Sequence, residues 1–484
     1  METHMKILFN PQSVAIFGAS NEQGKVGTLV MNNIISSKYM GKIIPINPNK
    51  KYEDKDIYGY KVYPSLEHVP EQVDLAVIVV PRKFVKATLE QSIKHRIKSA
   101  IIIPAGFGEV EDGRIEEKNL VEIAKRGNLK FVGPNCMGLW SANVFLNVNM
   151  SFLSPLPGNV SIISQSGSLS VVFCSELRRM GVGVRFIVSS GNEASLSFED
   201  YLEYFIENDK TKVIVGFLEG LRKGDKFIEV CRKNKEKKPI IILKAGSTKA
   251  GKTAAFSHTA SISGSNDIYD AIFKQYGIIN VENINQLLDI TRAFIYLNPP
   301  EGNKVAVMAG GGGMGVLTAD ACDRVGLNVN KPSQNLIDKM NKLLPSYWSR
   351  SNPIDTVGSQ DFMVYAKLLE LLLEANEYDI VITNVIEIRT ILDQFYPQHE
   401  EVKKAKKMMM GIMASMEKSL ARKEIKIWKK YQKPVIFMSH AYPNSEIFRI
   451  FEKKGALVVK NPDAAAFVLK KMLAYHTYHK FGKK

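Results

Sequence analysis

The sequence predicts an α/β protein made of three open-sheet domains with parallel strands. The chain has 484 residues, which at roughly 150 residues per domain suggests about three domains. Short apolar runs, each closed by glycine or a polar turn, alternate with segments of helical period. The runs are continuously apolar rather than alternating, which is typical of strands that are buried on both faces. Together these observations favour parallel sheets covered by helices.

The apolar runs form three series, one for each predicted sheet. The first series is Val14–Ala19, Ile43–Asn47, Leu75–Val80, Ala100–Pro104 and Lys130–Val132. The second series is Val160–Ser164, Val184–Ser189, Val213–Leu218 and Pro239–Ala245. The third series is Lys304–Ala309, Asp379–Val385, Pro434–Met438 and Ala456–Val459.

Prolines set the predicted domain boundaries. Regular structure breaks near Pro155–Gly158 and near Leu297–Gly302, where prolines cluster. Residues 388–428 are rich in Lys, Glu and Met and have a helical period, so they are predicted as a helical excursion within the third domain. The Met408–Met410 run in it favours packing over a binding surface. The predicted domains are residues 1–150, 151–300 and 301–484.

Composition excludes several classes of protein. Charged residues make up 24% and hydrophobic residues 45% of the chain, which is ordinary for a globular protein. No run of about 18 apolar residues exists, so no membrane span is expected, and no signal-peptide pattern is present. The net charge of +16 comes from dispersed lysines, which fits a polyanionic small ligand and does not favour nucleic acid.

The four cysteines point to a reducing compartment. Cys136, Cys174, Cys231 and Cys322 are far apart, form no CxxC pair and lie in or beside apolar stretches. This pattern predicts small buried hydrophobic residues rather than disulfides or a metal site. The cytoplasm is therefore the expected location.

A glycine-rich turn between the first predicted strand and helix predicts a nucleotide site. Gly18 to Gly27 reads GASNEQGKVG and follows Val14–Phe17. Glycines allow backbone amides to approach phosphate oxygens, and a helix N-terminus favours negative charge. The spacing is not GxGxxG, and an ordinary glycine turn remains an alternative.

The second predicted strand argues against NAD. It ends in Asn47, Pro48, Asn49, Lys50 and Lys51, where an NAD enzyme would have Asp or Glu for the ribose hydroxyl. The basic character suits an extra ribose phosphate, as in NADP or coenzyme A, with Lys25 among the candidate phosphate partners. An NADP oxidoreductase is the weaker alternative, because no catalytic pair supports it.

Residues Gly246–Thr253 match the Walker A pattern GxxxxGK[ST] after a predicted strand. However, the stretch that follows is rich in Ser, Thr and Ala and is a poor amphipathic helix, which a P-loop needs. No strand ending in Asp offers an obvious magnesium partner. A P-loop NTPase that uses Lys252 is therefore kept only as an alternative.

His258 is the candidate nucleophile. It lies among small residues in Ser257-His258-Thr259-Ala260. Such a loop favours a side chain that is accessible to a substrate over one that is packed in a core. A neutral imidazole is nucleophilic at pH 7. Glu219 closes another strand of the same predicted sheet and could orient the ring. An ordinary strand-end carboxylate is the alternative for Glu219.

Two helix starts are candidate phosphate seats, because several backbone amides would face an anion there. A plain turn that caps a helix is the alternative for each, and a pair of such seats facing a histidine could hold a phosphohistidine. The residues are Ser164, Gln165, Ser166, Gly167 and Ser168 in the first, and Gly310, Gly311, Gly312 and Gly313 in the second.

These motifs together resemble the alpha subunits of ADP-forming acetyl-CoA synthetases, within the acyl-CoA synthetase superfamily that contains succinyl-CoA synthetase. The resemblance covers nearly the whole chain. It rests on VAIFGAS…GKVG, INPNKK…YPSL, PAGFGE, GPNCMG, SQSGSLS, SSGNEAS, LKAG…SHTASISGS, AGGGGMG and NPIDTVG. It implies a Rossmann-like CoA-binding domain followed by two flavodoxin-like domains.

The resemblance also implies roles for individual residues. It implies a phosphohistidine at His258, a stabilising carboxylate at Glu219 and phosphate seats at the two helix starts. The Walker-like string is then incidental. The implied contacts with CoA are Gly18, Ala19, Ser20, Lys25, Val26, Gly27, Asn47, Pro81 and Asn135.

The implied activity is an acid–thiol ligase reaction: acyl-CoA, phosphate and ADP give the free acid, CoA and ATP, reversibly. No ATP-grasp unit is recognisable in the chain, so the resemblance implies an ATP-grasp beta subunit, an α2β2 assembly, and ADP or ATP with Mg²⁺ on that partner. No metal site is expected in this chain. A non-catalytic CoA-binding regulator is a further alternative. The acyl group stays open.

Overall fold

A computed structural model describes residues 2–234, 238–251, 253, 266–357 and 361–481 of the chain. The chain divides into two units, Met1–Leu287 and Leu288–Lys484. The first unit contains two large sheets and the second contains one. Each unit is described by itself.

The first sheet of unit 1 is fully parallel, with strand order β2-β1-β5-β6-β7. Every residue of β1 is buried, because its five residues SVAIF pack between two strands and between helices on both faces. Its strands are β1 (Ser13–Phe17), β2 (Lys42–Ile46), β5 (Leu75–Ile78), β6 (Ser99–Ile102) and β7 (Lys130–Val132), with a separate hairpin of β3 (Asp56–Ile57) and β4 (Tyr60–Lys61). Its helices are α1 (Glu2–Phe9), α2 (Val26–Ser36), α3 (Arg82–Lys94) and α4 (Arg114–Arg126), with short 3₁₀ turns at Lys50–Tyr52, Leu66–His68 and Glu111–Gly113.

The second sheet of unit 1 has seven strands in the order β14-β13-β12-β10-β11-β8-β9. Its strands are β8 (Gly138–Ser141), β9 (Leu146–Asn149), β10 (Pro157–Ser164), β11 (Val184–Ser189), β12 (Val213–Leu218), β13 (Ile240–Lys244) and β14 (Ile279–Val281). Its helices are α5 (Gly167–Arg179), α6 (Phe198–Glu207), α7 (Gly224–Lys233) and α8 (Asn266–Gln275), and α9 (Ile284–Tyr296) runs across the division between the units.

The hairpin β8–β9 lies in the second sheet, although its residues fall within the predicted first domain. β8 pairs antiparallel with β11, so residues 138–149 belong to the second sheet. The prediction assigned residues up to 150 to the first domain. The hairpin has no long apolar run, because the buried Asn147 and Asn149 interrupt its apolar residues. Apolar runs alone therefore do not predict its strands.

Unit 2 contains a five-stranded parallel sheet in the order β16-β15-β17-β18-β19. Its strands are β15 (Val305–Ala309), β16 (Ile354–Asp355), β17 (Ile380–Asn384), β18 (Val435–Met438) and β19 (Val458–Val459). Its helices are α10 (Gly312–Arg324), α11 (Gln334–Met340), α12 (Met363–Glu374), α13 (Ile388–Asp393), α14 (Glu400–Tyr431), α15 (Glu446–Lys453) and α16 (Pro462–Phe481).

The predicted helical excursion is present as α13 and α14, but the interpretation of its methionines is wrong. Met408 is 68% and Met409 44% exposed. The second half of α14 packs its apolar side through Leu420 and Ile425, whereas its first half leaves the methionines uncovered within unit 2. In the part of the chain that the structure describes, no helix has the length and apolarity needed to span a membrane.

Candidate active site

The turn between β1 and α2 brings backbone close to backbone. Gly18 adopts φ +87°, a left-handed conformation that favours glycine. Gly27, in the first turn of α2, faces it so closely that a Cβ there would clash with the Gly18 carbonyl oxygen. The sequence therefore needs glycine at both positions, and the turn leaves the start of α2 open toward the sheet edge.

A cavity of about 1240 Å³ opens at this edge of the first sheet. All but one of the residues predicted to contact CoA line it; Ala19 is fully buried instead, and its carbonyl accepts a 2.8 Å hydrogen bond from the Asn47 amide. The predicted residues that line the cavity are Gly18, Ser20, Lys25, Val26, Gly27, Asn47, Pro81 and Asn135.

Two lysines line this cavity, and one of them is paired with a carboxylate. Lys25 is exposed and precedes α2 directly. Lys51 also lines the cavity, but it forms an ion pair with Glu22 and lies 4.5 Å from the centre of the Tyr52 ring. Lys25 is thus the better candidate for a phosphate, while Lys51 would have to exchange its carboxylate partner.

The start of α5 opens into the same cavity. Gln165, Ser166, Gly167 and Ser168 line it, and Ser166 caps the helix by accepting a hydrogen bond from the Leu169 amide at 3.4 Å. Ser164 is fully buried and donates its hydroxyl to the Ser166 carbonyl at 2.6 Å. The structure therefore brings the first predicted phosphate seat and the predicted CoA contacts to one cavity.

Gln165 ties this helix start to Glu219. Its side-chain oxygen accepts hydrogen bonds from the backbone amides of Glu219 and Gly220, at 2.6 and 3.1 Å. Its side-chain nitrogen donates to the Gly220 carbonyl at 2.7 Å. Glu219 is 7% exposed, and its carbonyl accepts from the Lys244 ammonium at 2.9 Å. The loop after β12 is thus held in place beside the start of α5.

Glu193 completes this arrangement and was missed by the sequence analysis as a site residue. Its carboxylate accepts hydrogen bonds from the Gln165 amide at 3.0 Å and from the Ser190 hydroxyl at 2.7 Å. Burial raises the pKa of Glu193 to about 7, and the charge of Glu199 adds to the effect, while the hydrogen bonds from Ser190 and Gln165 and the charge of Arg222 oppose it. The signal was a carboxylate just after the carboxyl end of β11, in the SSGNEAS motif.

Asn192 links the loops of the two sheets. Its amide donates to Glu109 at 2.5 Å and to Glu117 at 2.8 Å, and its oxygen accepts from Asn135 at 3.2 Å. Although burial works in the opposite direction, hydrogen bonds from Asn192 and from the Gly106 amide hold the pKa of Glu109 below its ordinary value. Asn192 therefore connects the PAGFGE and GPNCMG turns of the first sheet to the second.

The candidate nucleophile lies outside the described residues. His258 and Lys252 are both among the residues that the structure does not describe. Gly246, at the start of the Walker-like string, adopts φ +71° two residues after the end of β13. The roles predicted for His258 and Glu219 stay predictions.

In unit 2, α10 begins at Gly312 after β15, as the sequence predicts for the second phosphate seat. Gly310, Gly311, Gly312 and Gly313 line a separate cavity of about 590 Å³. Among the described residues, no group of three or more His, Cys, Asp or Glu side chains could hold a metal ion.

Comparisons with known proteins agree with this fold. Three family models match in sequence: a CoA binding domain at residues 12–141, a succinyl-CoA ligase-like flavodoxin domain at 157–294 and a Ligase-CoA domain at 305–418. Their order defines an α/β protein of the CoA ligase class.

Individual relatives are more specific. The chain is 37% identical over 469 residues to subunit alpha of acetate–CoA ligase [ADP-forming] II from Pyrococcus furiosus. The match covers 95% of this chain and 96% of that protein. The chain therefore belongs to the family of ADP-forming acetate–CoA ligases, which are enzymes, and is alpha-subunit-like. It is also 41% identical to the acetate–CoA ligase [ADP-forming] of Methanocaldococcus jannaschii, of whose length it spans about half (49%).

A solved structure shows the same fold. It is the acetyl-coenzyme A synthetase 1 of Ca. Korarchaeum cryptofilum in complex with phosphate and ADP, with 31% identity and a TM-score of 0.85 over 99% of this chain and 98% of that chain. The family-level fold prediction, of a CoA-binding domain followed by succinyl-CoA ligase-like domains, is confirmed. A P-loop NTPase is not favoured by any of these comparisons.

Proposed function

We propose that this chain is the alpha subunit of a reversible ADP-forming acyl-CoA synthetase. The observation that carries the proposal is the 1240 Å³ cavity in unit 1, because it is lined both by the glycine turn Gly18–Gly27 and by the start of α5. An acyl-CoA molecule in this cavity would bring its thioester toward helix amides that stabilise an anion. Membership of the ligase family supports the same assignment.

In the proposed first step, an oxygen of inorganic phosphate attacks the thioester carbonyl of acyl-CoA. The carbon–sulfur bond breaks, and the products are an acyl phosphate and the CoA thiolate. The amides at the start of α5 would neutralise the incoming phosphate, and Ser166 and Ser168 line the cavity there. The proton that hydrogen phosphate loses goes to the thiolate, so the step needs no further proton and no electron.

In the proposed second step, His258 attacks the phosphorus of the acyl phosphate and releases the free carboxylate. Glu219 would stabilise the cationic character of the phosphorylated imidazole. The fixed position of the loop that carries Glu219, held by Gln165, supports this role. The phosphoryl group would then pass to ADP and give ATP.

The proposal includes a partner chain and a location. The P. furiosus relative is named as a subunit alpha. The M. jannaschii relative is about twice as long as the segment of it that matches this chain. Both observations support a separate partner chain here. We propose that the partner is an ATP-grasp beta subunit in an α2β2 assembly, that it binds ADP with Mg²⁺, and that the complex works in the cytoplasm.

The test is the complete reaction with its partner. The chain is combined with an ATP-grasp subunit, acetyl-CoA, phosphate, Mg²⁺ and ADP, and both free CoA thiol and ATP are measured. We expect equal amounts of the two, with no thiol released when phosphate is omitted. Thiol release without ATP formation would indicate a thioesterase, and binding of CoA without either product would indicate a CoA-binding regulator.

A further inference from the structure

Glu193 is a buried carboxyl group beside the first phosphate seat. It does not line the cavity, but two hydrogen-bond donors connect it to residues 164–166, which lead into α5. The Gln165 side-chain nitrogen donates to it at 3.0 Å, and Gln165 lines the cavity. The Ser190 hydroxyl donates to it at 2.7 Å, and the Ser190 backbone amide donates to the Ser164 carbonyl at 2.8 Å. One side chain therefore separates Glu193 from the place where we propose that phosphate binds.

Among the described residues, no cation forms an ion pair with the Glu193 carboxylate, since its two donors are a neutral amide and a neutral hydroxyl. Asp200, on the neighbouring helix α6, shows the contrast, because Lys223 and Lys226 both pair with it. A buried carboxylate that lacks a cationic partner is costly. The surroundings of Glu193 therefore hold a neutral carboxyl group more readily than an anion.

The charged and titratable groups around Glu193 do not supply the missing cation. Burial raises its pKa to about 7, the Glu199 carboxylate on α6 adds to the effect, and the charge of Arg222 in the loop after β12 opposes it. The Tyr201 hydroxyl, also on α6, is buried and has no hydrogen-bond partner among the described residues. The surrounding loops and β13 add further titratable groups, which are Cys136, Glu109, Glu117, Glu219 and Lys244.

Both protonation states of Glu193 keep their hydrogen bonds. The carboxylate accepts from Gln165 and from Ser190. The neutral acid can donate its proton to the Ser190 oxygen, and the Ser190 hydroxyl can then donate to the Ser164 carbonyl, which lies 3.4 Å away. Gln165 donates to Glu193 in either state. Protonation therefore changes the charge beside the phosphate seat and leaves in place the residues that form it.

We propose that a dianion bound at the start of α5 causes Glu193 to take up a proton from the solvent, and that the proton leaves again with the dianion. Two negative charges in one poorly solvated region repel each other, and a neutral Glu193 removes this repulsion. Glu193 acts on the seat from behind Gln165 and Ser190, so it is a positioning residue and not a catalytic one. The inference rests on the proposed function, because it takes phosphate as the ligand of this seat.

The test is calorimetric titration of the full chain with sulfate at pH 6, 7.5 and 8. Sulfate stays a dianion over this range, whereas phosphate itself gains and loses a proton. Buffers with different heats of ionisation report the number of protons taken up. At pH 7.5, Glu193→Gln should take up about half a proton less per sulfate than the wild type. It should bind sulfate about 5- to 10-fold more tightly than the wild type at pH 8, and equally tightly at pH 6.

Three variants separate this coupling from other effects. Glu122→Gln removes one negative charge from an exposed position of α4, so it is the matched control and should behave like the wild type. Ser168→Asp puts a carboxylate at the seat and should abolish the proton uptake that depends on Glu193; an acidic residue in the first turn of a helix is favourable, so this variant should fold. Ser190→Ala removes a hydrogen bond that favours the anion. It should move the pH of maximal uptake upward, and it serves if Glu193→Gln fails to fold.

Equal proton uptake in the wild type and Glu193→Gln would overturn the inference. Uptake that depends on Glu193 but survives in Ser168→Asp, or a wild type that binds no sulfate at pH 6, would overturn it as well.

The outcome is separable from that of the proposed function. Formation of ATP by the chain and its partner, without proton uptake that depends on Glu193, would leave the ligase assignment intact and refute the inference. Uptake that depends on Glu193, without any ATP formation, would support the inference and refute the ligase assignment.

Discussion

Replacing Glu193 by Gln tests the electrostatics around Gln165. The Glu193 carboxyl is buried, and the rise of its pKa from 4.5 to about 7 corresponds to about 3 kcal/mol, at about 1.4 kcal/mol per tenfold change in proton affinity. Because the folded state holds the proton more tightly, the contribution of this group to stability is full below about pH 4.5 and is lost as the pH rises to about 7. The wild-type chain should therefore be destabilised by this group above pH 7.

Glutamine removes the ionisation and keeps the shape. Its oxygen can accept from the Gln165 amide, and its nitrogen can donate to the Ser190 hydroxyl, which lies 3.4 Å from the Ser164 carbonyl and can donate there. We expect Glu193→Gln to be more stable than the wild type at pH 8 by up to about 3 kcal/mol and similar to it at pH 4.5. Glu122→Gln, at an exposed position, is the matched control and should change neither value.

The assay is thermal unfolding of unliganded wild type and variants at pH 4.5, 6 and 8. For a domain of 150–250 residues, 1 kcal/mol shifts the midpoint by about 2–4 °C, so the variant should gain several degrees at pH 8, a smaller gain at pH 6 and almost none at pH 4.5. A variant less stable than the wild type at pH 8, or a gain of equal size at every pH, would refute the reasoning.

Three further predictions concern the same unit. Gly27→Ala should weaken CoA binding by at least about 10-fold in a titration, because its Cβ would clash with the Gly18 carbonyl and force the start of α2 away; an unchanged affinity would remove the turn from the site. Gln165→Ala should lower the amount of phosphoenzyme by about 10-fold, since it releases the loop after β12; labelling at the wild-type level would contradict this. Asn192→Ala should lower the free energy of unfolding by about 2–3 kcal/mol, because it removes hydrogen bonds to two carboxylates; a neutral effect in denaturant unfolding would show that Glu109 is held by its backbone partners alone.

Much of the fold follows from continuous apolar runs. Each run predicted for the first sheet is a strand whose ends agree to within two residues, because strands buried on both faces must be apolar throughout. The hairpin β8–β9 could not be found in this way, since it carries buried Asn147 and Asn149. The exposure of Met408 was also not predictable from its helical period, which does not say whether a neighbour covers the apolar side.

The candidate site likewise has local features that the sequence predicts and long-range contacts that it does not. The glycine turn at Gly18 and the helix start at Ser166 are local features, and local sequence predicts them. The network of Glu193, Asn192 and Glu109 joins loops that are up to 84 positions apart in the numbering, and only the packing of the two sheets brings these side chains together.

The central claim is tested most directly by phosphoryl labelling of the chain. With acetyl-CoA, an ATP-grasp partner and labelled phosphate, the proposed mechanism predicts label that is acid-labile and alkali-stable, absent in His258→Ala and sharply reduced in Glu219→Gln. His399→Ala, which removes an exposed imidazole before α14, should be labelled like the wild type. CoA binding should persist in His258→Ala. Label that survives in His258→Ala, or no label with any of several acyl-CoAs, would contradict the assignment of a phosphohistidine ligase.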